Sequence, residues 1–187
     1  RGTSFPVPSE FDKVLTSRRP SFSDIFEDKL TGEEVIVVTV PVVGTGTELN
    51  GVLAGMATVR RSLLGATYTE VLEFKPGPSG FAYLVDGNGR VIFHRHATQL
   101  VADLSAAEPV MRVIERETDA VITEDADGKT VVSGFAPVPG TNWGIVTQER
   151  WDNVVGPIRR YGSLTLGLLV LGGFLASGLI FLAVGRA

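Results

Sequence analysis

The feature that most constrains this chain is an uncharged run near its C-terminal end, residues 162–185. Its 24 residues are mainly Leu, Val, Phe, Ile, Gly and Ala. As a helix they would extend about 36 Å, enough to cross a hydrocarbon core of roughly 30 Å. Arg159, Arg160 and the interfacial Tyr161 precede the run, and Arg186 follows it. The run therefore predicts one transmembrane helix rather than a buried core helix, and its position excludes a signal peptide.

Both ends of the chain suggest an excerpt of a longer protein. The chain opens at Arg1 without a methionine or a leader, and it stops two residues after the apolar run. We therefore expect further sequence beyond Ala187.

Composition excludes several classes of function. The net charge of −4 becomes −7 when the three arginines that flank the run are set aside, which opposes binding to nucleic acid. The absence of cysteine excludes disulfides, thiolate metal sites and a thiol nucleophile. No Gly-x-Ser-x-Gly elbow, His-Glu-x-x-His motif or P-loop occurs, so we expect no catalytic site and no cofactor in this chain.

The region before the run is predicted to be mainly β-structure. Asp86-Gly87-Asn88-Gly89 separates two apolar runs, residues 81–86 and 90–94, which is a strong hairpin signal. Residues 108–117 have the apolar spacing of a helix, and a second helix begins near Trp151. Between these helices, turn residues delimit three further strands at residues 120–123, 130–138 and 143–148.

The first third resembles the second half of that unit. Strands are predicted at residues 22–26 and 35–43, with another beginning at Gly51. Thr31-Gly32 and Pro41-Val42 match Asp127-Gly128 and Pro137-Val138 at an offset of 96 residues, and Gly51-Val52 matches Gly144-Ile145 at 93. Two copies of one unit, the first without its opening strands, account for this economically. Chance resemblance among hairpins marked by Gly and Pro is the alternative.

Residues 79–94 resemble a motif of the double Cache family, which comprises bacterial extracytoplasmic sensors. The matching pattern is Gly80, aromatic residues, Leu84, Val85-Asp86, Gly89, then Ile92 and His94. Residues 135–138 and 141–148 resemble the closing hairpin of that family's membrane-proximal module, and residues 21–41 and 51–53 resemble the same hairpin in the distal module. The ordered resemblance covers nearly all of residues 20–160.

The resemblance implies an α+β fold of two PAS-like modules with antiparallel sheets, the first one truncated, followed by one transmembrane helix. The implied distal module, of which only the C-terminal part is present, covers residues 1–58, and a helical connector follows at residues 59–78. The proximal module covers residues 79–150, the juxtamembrane helix residues 151–161 and the transmembrane helix residues 162–185. It also implies a missing N-terminal span and a cytoplasmic output module beyond Ala187, with Val184-Gly185-Arg186-Ala187 suited to the entry of a HAMP-type linker.

The family resemblance also nominates ligand-binding residues in the distal module. Residues 24–32 resemble the stretch that carries the ligand-binding aspartate of the amino-acid-binding branch, which places that aspartate at Asp28, with Asp24 and Phe26 beside it. An ionised carboxylate in a partly dry pocket would accept hydrogen bonds from a ligand ammonium group. Phe26 occupies the position of a family tyrosine. The alternative role for Asp28 is a solvated turn residue before Thr31-Gly32.

Tyr83 and His94 are the candidates in the proximal module. Tyr83, like Trp143, could line a pocket or fill the core. His94 and His96 lie two apart on a strand, so both could face one metal ion, although no third ligand is nearby. A ligand contact and an ordinary residue at the end of a strand are the other roles for His94, and we predict no metal site.

The predicted function is small-molecule sensing by a bacterial transmembrane receptor: a histidine kinase, a chemoreceptor or a cyclic-dinucleotide enzyme. The ligand would be an amino acid or another small organic molecule, and the soluble part would lie outside the plasma membrane. Gly172, Gly173, Ala176 and Ser177 are small residues at four-residue spacing, which favours a homodimer in the bilayer. This fragment would not be an enzyme, whereas the whole protein could be a histidine kinase or diguanylate cyclase. The alternative is a membrane-anchored exported binding or structural module without signalling output.

Overall fold

The first half of the chain forms a small antiparallel sheet with a helix beside it. A computed structural model describes residues 8–44, 48–61, 75–125 and 127–184. Helix α1 is Pro8–Ser17. Strand β3 pairs on one edge with both β1 and β2, and on the other edge with β4. The strands are β1 Ser21–Phe22, β2 Phe26–Glu27, β3 Glu34–Val43 and β4 Leu49–Thr58, and a short 3₁₀ turn, Val59–Arg61, follows them.

The second half forms a five-stranded antiparallel sheet. Its strands are β5 Phe81–Val85, β6 Val91–His94, β7 Asp119–Glu124, β8 Thr130–Pro137 and β9 Gly144–Arg150, in the spatial order β6-β5-β9-β8-β7. A 3₁₀ turn, Ala97–Gln99, and helix α2, Glu108–Ile114, connect β6 to β7. Helix α3, Trp151–Val184, continues directly from β9. The α+β class, the antiparallel sheets and the order of elements in this half are as predicted.

The predicted strand at residues 22–26 is replaced by two shorter strands. Ser23, Asp24 and Ile25 separate β1 from β2, although both strands pair with β3. The physical reason is that each of these three residues makes at least one hydrogen bond with the second half of the chain, as described below. Helix α1 was not predicted, although Phe11, Val14 and Leu15 have the spacing of an apolar helix face. Of the predicted helical connector, residues 62–74 lie outside the described part of the chain.

Two hydrophobic clusters account for much of the buried interior of the described residues. One lies within the second sheet and under α2, and it comprises Tyr83, Val85, Val91, Val110, Val113, Phe135 and Val146. The other lies between the two sheets, where Ile25, Ile36 and Val59 pack against Ile92 and Trp143. Each fully buried aliphatic side chain contributes roughly 1.5–3 kcal/mol, so the shared core favours association of the sheets.

Helix α3 contains most of the run that the sequence predicts to be a transmembrane helix. In the described part of the chain, no helix combines the length and the apolar character that crossing a membrane requires. Gly185 lies outside the described residues, as do the side chains of residues 162–164, 176 and 178–184.

Candidate functional site

Asp28 stabilises the turn between β2 and β3. Its carboxylate is 4% exposed and accepts hydrogen bonds from Thr31 Oγ1 at 2.8 Å and from the Leu30 amide at 3.3 Å. The Gly32 amide donates to the Asp28 carbonyl at 2.7 Å, and Gly32 has a φ of 68°, a conformation that favours glycine. The bond from Thr31, followed by that from Leu30, holds the pKa of Asp28 below its ordinary value. The side chain is therefore ionised and directed into its own turn.

A polar cleft of about 390 Å³ lies beside that turn. Its lining residues are Glu27, Gly32, Glu33, Glu34, Thr58 and Arg60. Asp28 is not among them, and its turn forms one wall of the cleft. The lining thus contains carboxylates, which can bind an ammonium group, and one guanidinium, which can bind a carboxylate. The sequence prediction missed this lining, and the acidic pair Glu33-Glu34 at the start of β3 was the signal available for it.

Asp24 lies in the short segment between β1 and β2, and its neighbour Ser23 connects this segment to both halves of the chain. At Ser23 the amide donates to the Val37 carbonyl at 2.9 Å, and the hydroxyl oxygen accepts from the Val37 amide at 2.8 Å. The hydroxyl therefore takes the place of the Ser23 carbonyl in the ladder. That carbonyl accepts instead from the indole Nε1–H of Trp143 at 3.0 Å, and Phe22 packs edge-to-face against the Trp143 ring.

Asp24 and Asp86 make a reciprocal pair of contacts between the sheets. The Ile25 amide donates to Asp86 Oδ2 at 3.0 Å, and the Gly87 amide donates to Asp24 Oδ1 at 2.9 Å. Arg90 adds a bond to the Ile25 carbonyl at 3.4 Å and an ion pair with Glu34. We call this set of contacts the inter-sheet joint. It shows that Asp24 is engaged with the second sheet, and Asp24 does not line the cleft.

The loop that contains Asp86 occurs twice in the second sheet. Asp86 Oδ1 accepts from the amides of residues 88 and 90, and Asp125 Oδ1 accepts from the amides of residues 127 and 129 in the same way. In both loops a glycine, Gly89 or Gly128, has a positive φ. Asp86 is completely buried, and burial raises its pKa despite its three amide donors. Its second oxygen, bonded to Ile25, is what distinguishes it from Asp125.

Tyr83 and His94 lie together in the second sheet, away from the cleft. They are cross-strand neighbours on β5 and β6, and their rings are 5.9 Å apart. Tyr83 is 3% exposed in the core of that sheet. His94 also contacts Phe81, at a ring separation of 5.1 Å. The five predicted site residues are thus not brought into one site: Phe26 and Asp28 flank the cleft, Asp24 is in the joint, and Tyr83 and His94 form a separate pair.

His94 and His96 are not arranged as ligands of one metal ion. His94 Nδ1 accepts a hydrogen bond from the His96 amide at 3.0 Å, and His96 Nε2 accepts from Arg95 Nε at 3.0 Å. Across residues 8–44, 48–61, 75–125 and 127–184, no group of three potential metal ligands is present. Burial, and then the positive charges of His96 and Arg95, lower the pKa of His94 below its ordinary value.

Several solved sensor domains share this fold at low sequence identity. The extracellular domain of mmHK1S-Z3, assigned as a histidine kinase, matches with a TM-score of 0.58 and 15% identity over 82% of this chain and 57% of its own. The ligand-binding domain of the Pseudomonas aeruginosa amino acid chemoreceptor PctB, in complex with L-Arg, matches with a TM-score of 0.53 and 19% identity over 82% and 64%. That of the Pseudomonas fluorescens chemoreceptor CtaA, in complex with L-serine, matches with a TM-score of 0.52 and 20% identity over 81% and 63%.

The similarity to these structures shows the fold of the chain, and a match to a family model shows which family the chain belongs to. The chain spans 57% to 64% of the length of these three structures. A search of curated proteins gives no match. The model of the Cache domain matches residues 7–158, which include both sheets and the start of α3. The chain therefore belongs to the Cache domain family.

Proposed function

We propose that this chain is the extracytoplasmic sensory region of a bacterial transmembrane receptor and that it binds a small molecule in the cleft of the first sheet. The Cache family match over residues 7–158 is the observation that carries the proposal. The similar structures are an extracellular domain and chemoreceptor ligand-binding domains, two of them in complex with an amino acid. The uncharged run at residues 162–185, most of which lies within α3, supports a membrane anchor, and its small residues support a homodimer.

The ligand class follows from the charges of the cleft. Glu27 and Arg60 are both exposed at its lining, so their charged groups are open to a ligand. A carboxylate binds an ammonium group, and a guanidinium binds a carboxylate through paired hydrogen bonds. A free amino acid carries both groups. Phe26 and Asp28 then act on the ligand indirectly, because they shape the β2–β3 turn beside it.

The output of the whole receptor is part of the proposal. A ligand changes the state of a receptor only if its affinity differs between two conformations. We infer that such a difference is passed through α3 to a histidine kinase, a chemoreceptor signalling domain or a cyclic-dinucleotide enzyme.

Ligand binding is tested with the complete chain in detergent micelles. We expect one or more of the twenty L-amino acids to raise the unfolding temperature, with about 2.7 kcal/mol of stabilisation at a concentration 100 times the Kd. Glu27→Gln and Arg60→Gln should each weaken binding, measured by titration calorimetry, by roughly 10- to 100-fold through loss of a charge-assisted hydrogen bond.

The matched control is Glu124→Gln, which removes the same kind of charge from an exposed position on β7. It should leave the Kd unchanged. An amino acid that binds wild type and both cleft variants equally would show that the cleft is not the site. Absence of binding by every amino acid would contradict the assigned ligand class.

A further inference from the structure

A buried carboxylate connects three segments at the base of α3. Glu149, near the end of β9, is 7% exposed. Its Oε1 accepts from Ser79 Oγ at 2.7 Å, from Asn153 Nδ2 at 2.6 Å and from the Arg150 amide at 2.9 Å. Asn153 Nδ2 also donates to Ser79 Oγ at 2.6 Å. The turn before β5, the end of β9 and the first turns of α3 therefore meet at one point.

The second oxygen of Glu149 has no hydrogen-bond partner within the described part of the chain. It lies against the turn at residues 75–80, where a Cβ on Gly77 would be 2.1 Å from it and a Cβ on Gly80 would be 2.8 Å from it. Neither position can carry a side chain unless the carboxylate moves. The contact therefore makes the position of the turn and the position of Glu149 depend on each other.

Glu149 remains ionised in this setting. Burial raises its pKa, but the hydrogen bonds from Ser79, Asn153 and the Arg150 amide, together with the nearby Gly80 amide, lower the pKa by more, so the net shift is downward. The carboxylate lies two residues before the first residue of α3, and a negative charge there is favourable because the helix N-terminus carries partial positive charge. The charge is thus stabilised by the start of the helix as well as by Ser79.

The helix is weakly restrained just beyond this point. Residue 157 is proline, which has no amide hydrogen, so the Asn153 carbonyl cannot receive the usual hydrogen bond from four residues ahead. Helices bend most readily where a proline interrupts the hydrogen-bond ladder. Asn153, whose carbonyl lacks this hydrogen bond, is the residue whose side chain is hydrogen-bonded to Glu149 and Ser79.

We propose that Ser79, Glu149 and Asn153 form a coupling joint that transmits displacement of the turn at residues 75–80 to the direction of α3. Ser79 belongs to the turn at residues 75–80, and Asn153 belongs to the first turns of the helix. Displacement of Ser79 removes one donor from Glu149 and one acceptor from Asn153, which leaves the first turns of α3 free to reorient. The three residues are positioning residues, and their role rests on the proposed function only in that α3 is the output element.

The coupling joint is tested by measuring the direction of α3 relative to the second sheet in the absence of any ligand. The chain has no cysteine, so spin labels attached at Ile122→Cys on β7 and Leu168→Cys on α3, in labelled chain diluted with an excess of unlabelled chain, report one intramolecular distance by double electron–electron resonance. Both positions are exposed, at 58% and 70%. We expect Ser79→Ala, Asn153→Ala and Glu149→Gln to shift or broaden the distance distribution. Gly77→Ala, which removes no hydrogen-bonding group, should do the same by displacing the carboxylate.

The matched control is Glu115→Gln, an exposed position at the end of α2, which should leave the distribution unchanged. If Glu149→Gln does not fold, Ser79→Ala and Gly77→Ala still decide the question. Variants that lower the unfolding temperature but keep the wild-type distance distribution would overturn the proposal, because a purely structural contact predicts that result. No ligand is added, so failure of the amino-acid cleft would not alter this outcome.

Discussion

At the scale of the residue, polar side chains in this molecule take over hydrogen bonds from backbone groups or connect one sheet to the other. Ser23 supplies a hydroxyl in place of its own carbonyl in the β3 ladder, and the freed carbonyl binds Trp143. Asp86 completes its own loop with one oxygen and reaches the first sheet with the other. Such contacts cost little when every buried polar group finds a partner.

His94 gives a prediction for the dependence of stability on pH. Its pKa is lowered in the folded protein, so the neutral ring is favoured there, whereas in the unfolded chain the ring titrates at its ordinary value of about 6.5. The stabilising effect is therefore complete above about pH 6.5 and is lost as the pH falls toward the folded pKa. We expect the unfolding free energy of wild type to fall more between pH 7.5 and pH 5 than that of His94→Phe, measured by urea denaturation.

The chain has only one other histidine, His96, which makes the control simple. His96→Gln removes only a lesser cause of the shift and leaves burial, the largest one, so it should retain most of the pH dependence of wild type. Equal slopes for wild type and His94→Phe would show that folding does not perturb the titration of His94.

Single residues also show what sequence alone could and could not predict of the site. Asp28 lies in the β2–β3 turn, the role that the Thr31-Gly32 pair after it predicts from local turn chemistry, whereas the ligand-binding role implied by the family motif stays a prediction. Asp24 could not be assigned to the inter-sheet joint, because its partner Gly87 is 63 residues away. The lining residues Glu27 and Arg60 carry no motif, and only the fold brings them to one cleft.

At the scale of the element, strand predictions succeeded where the pattern was local. The Asp-Gly-Asn-Gly and Asp-Gly turns and the apolar runs between them predict β5 to β9 within a few residues. The break between β1 and β2 was missed, because Ser23 to Ile25 remain compatible with a strand until the second sheet competes for their hydrogen bonds. Helix α1 was missed although its apolar spacing was present.

The packing of α2 on β9 gives a prediction at this scale. A Cβ on Gly144 would lie 2.5 Å from Val113 Cγ1 and 2.7 Å from Cγ2, and Val113 is 1% exposed. Gly144→Ala should force α2 away from the sheet and lower the unfolding free energy by about 1–3 kcal/mol, measured by urea denaturation. Gly51→Ala on β4 is the control, since nothing lies within 4 Å of its Cβ, and it should be neutral or slightly stabilising. Equal effects of the two substitutions would contradict this account.

At the scale of the whole molecule, the shared core and the inter-sheet joint predict that the two sheets unfold together. In a Trp151→Phe background the fluorescence of Trp143 reports on the interface, and far-ultraviolet circular dichroism reports on the secondary structure of both halves, so in urea both signals should change at the same midpoint. In Asp86→Asn the amide oxygen can retain the two loop hydrogen bonds, but the NH₂ group then faces the Ile25 amide. We expect a loss of about 1–3 kcal/mol of unfolding free energy from that unsatisfied contact.

Asp125→Asn is the matched control, since among the described residues Asp125 hydrogen-bonds only within its own loop and not to the first sheet. It should change the unfolding free energy by less than Asp86→Asn. Two separate unfolding midpoints in the Trp151→Phe background would show that the sheets unfold independently and that the inter-sheet joint does not couple them.

The length of α3 has a mechanical consequence. A continuous helix of 34 residues extends roughly 51 Å, and Asn153 lies in its first turn. A tilt of about 5° at that turn would displace the far end by roughly 4 Å, which is less than the pitch of about 5.4 Å of one helical turn. If the proposed coupling joint tilts the helix, a small rotation at its base therefore becomes a movement of several ångströms at its far end.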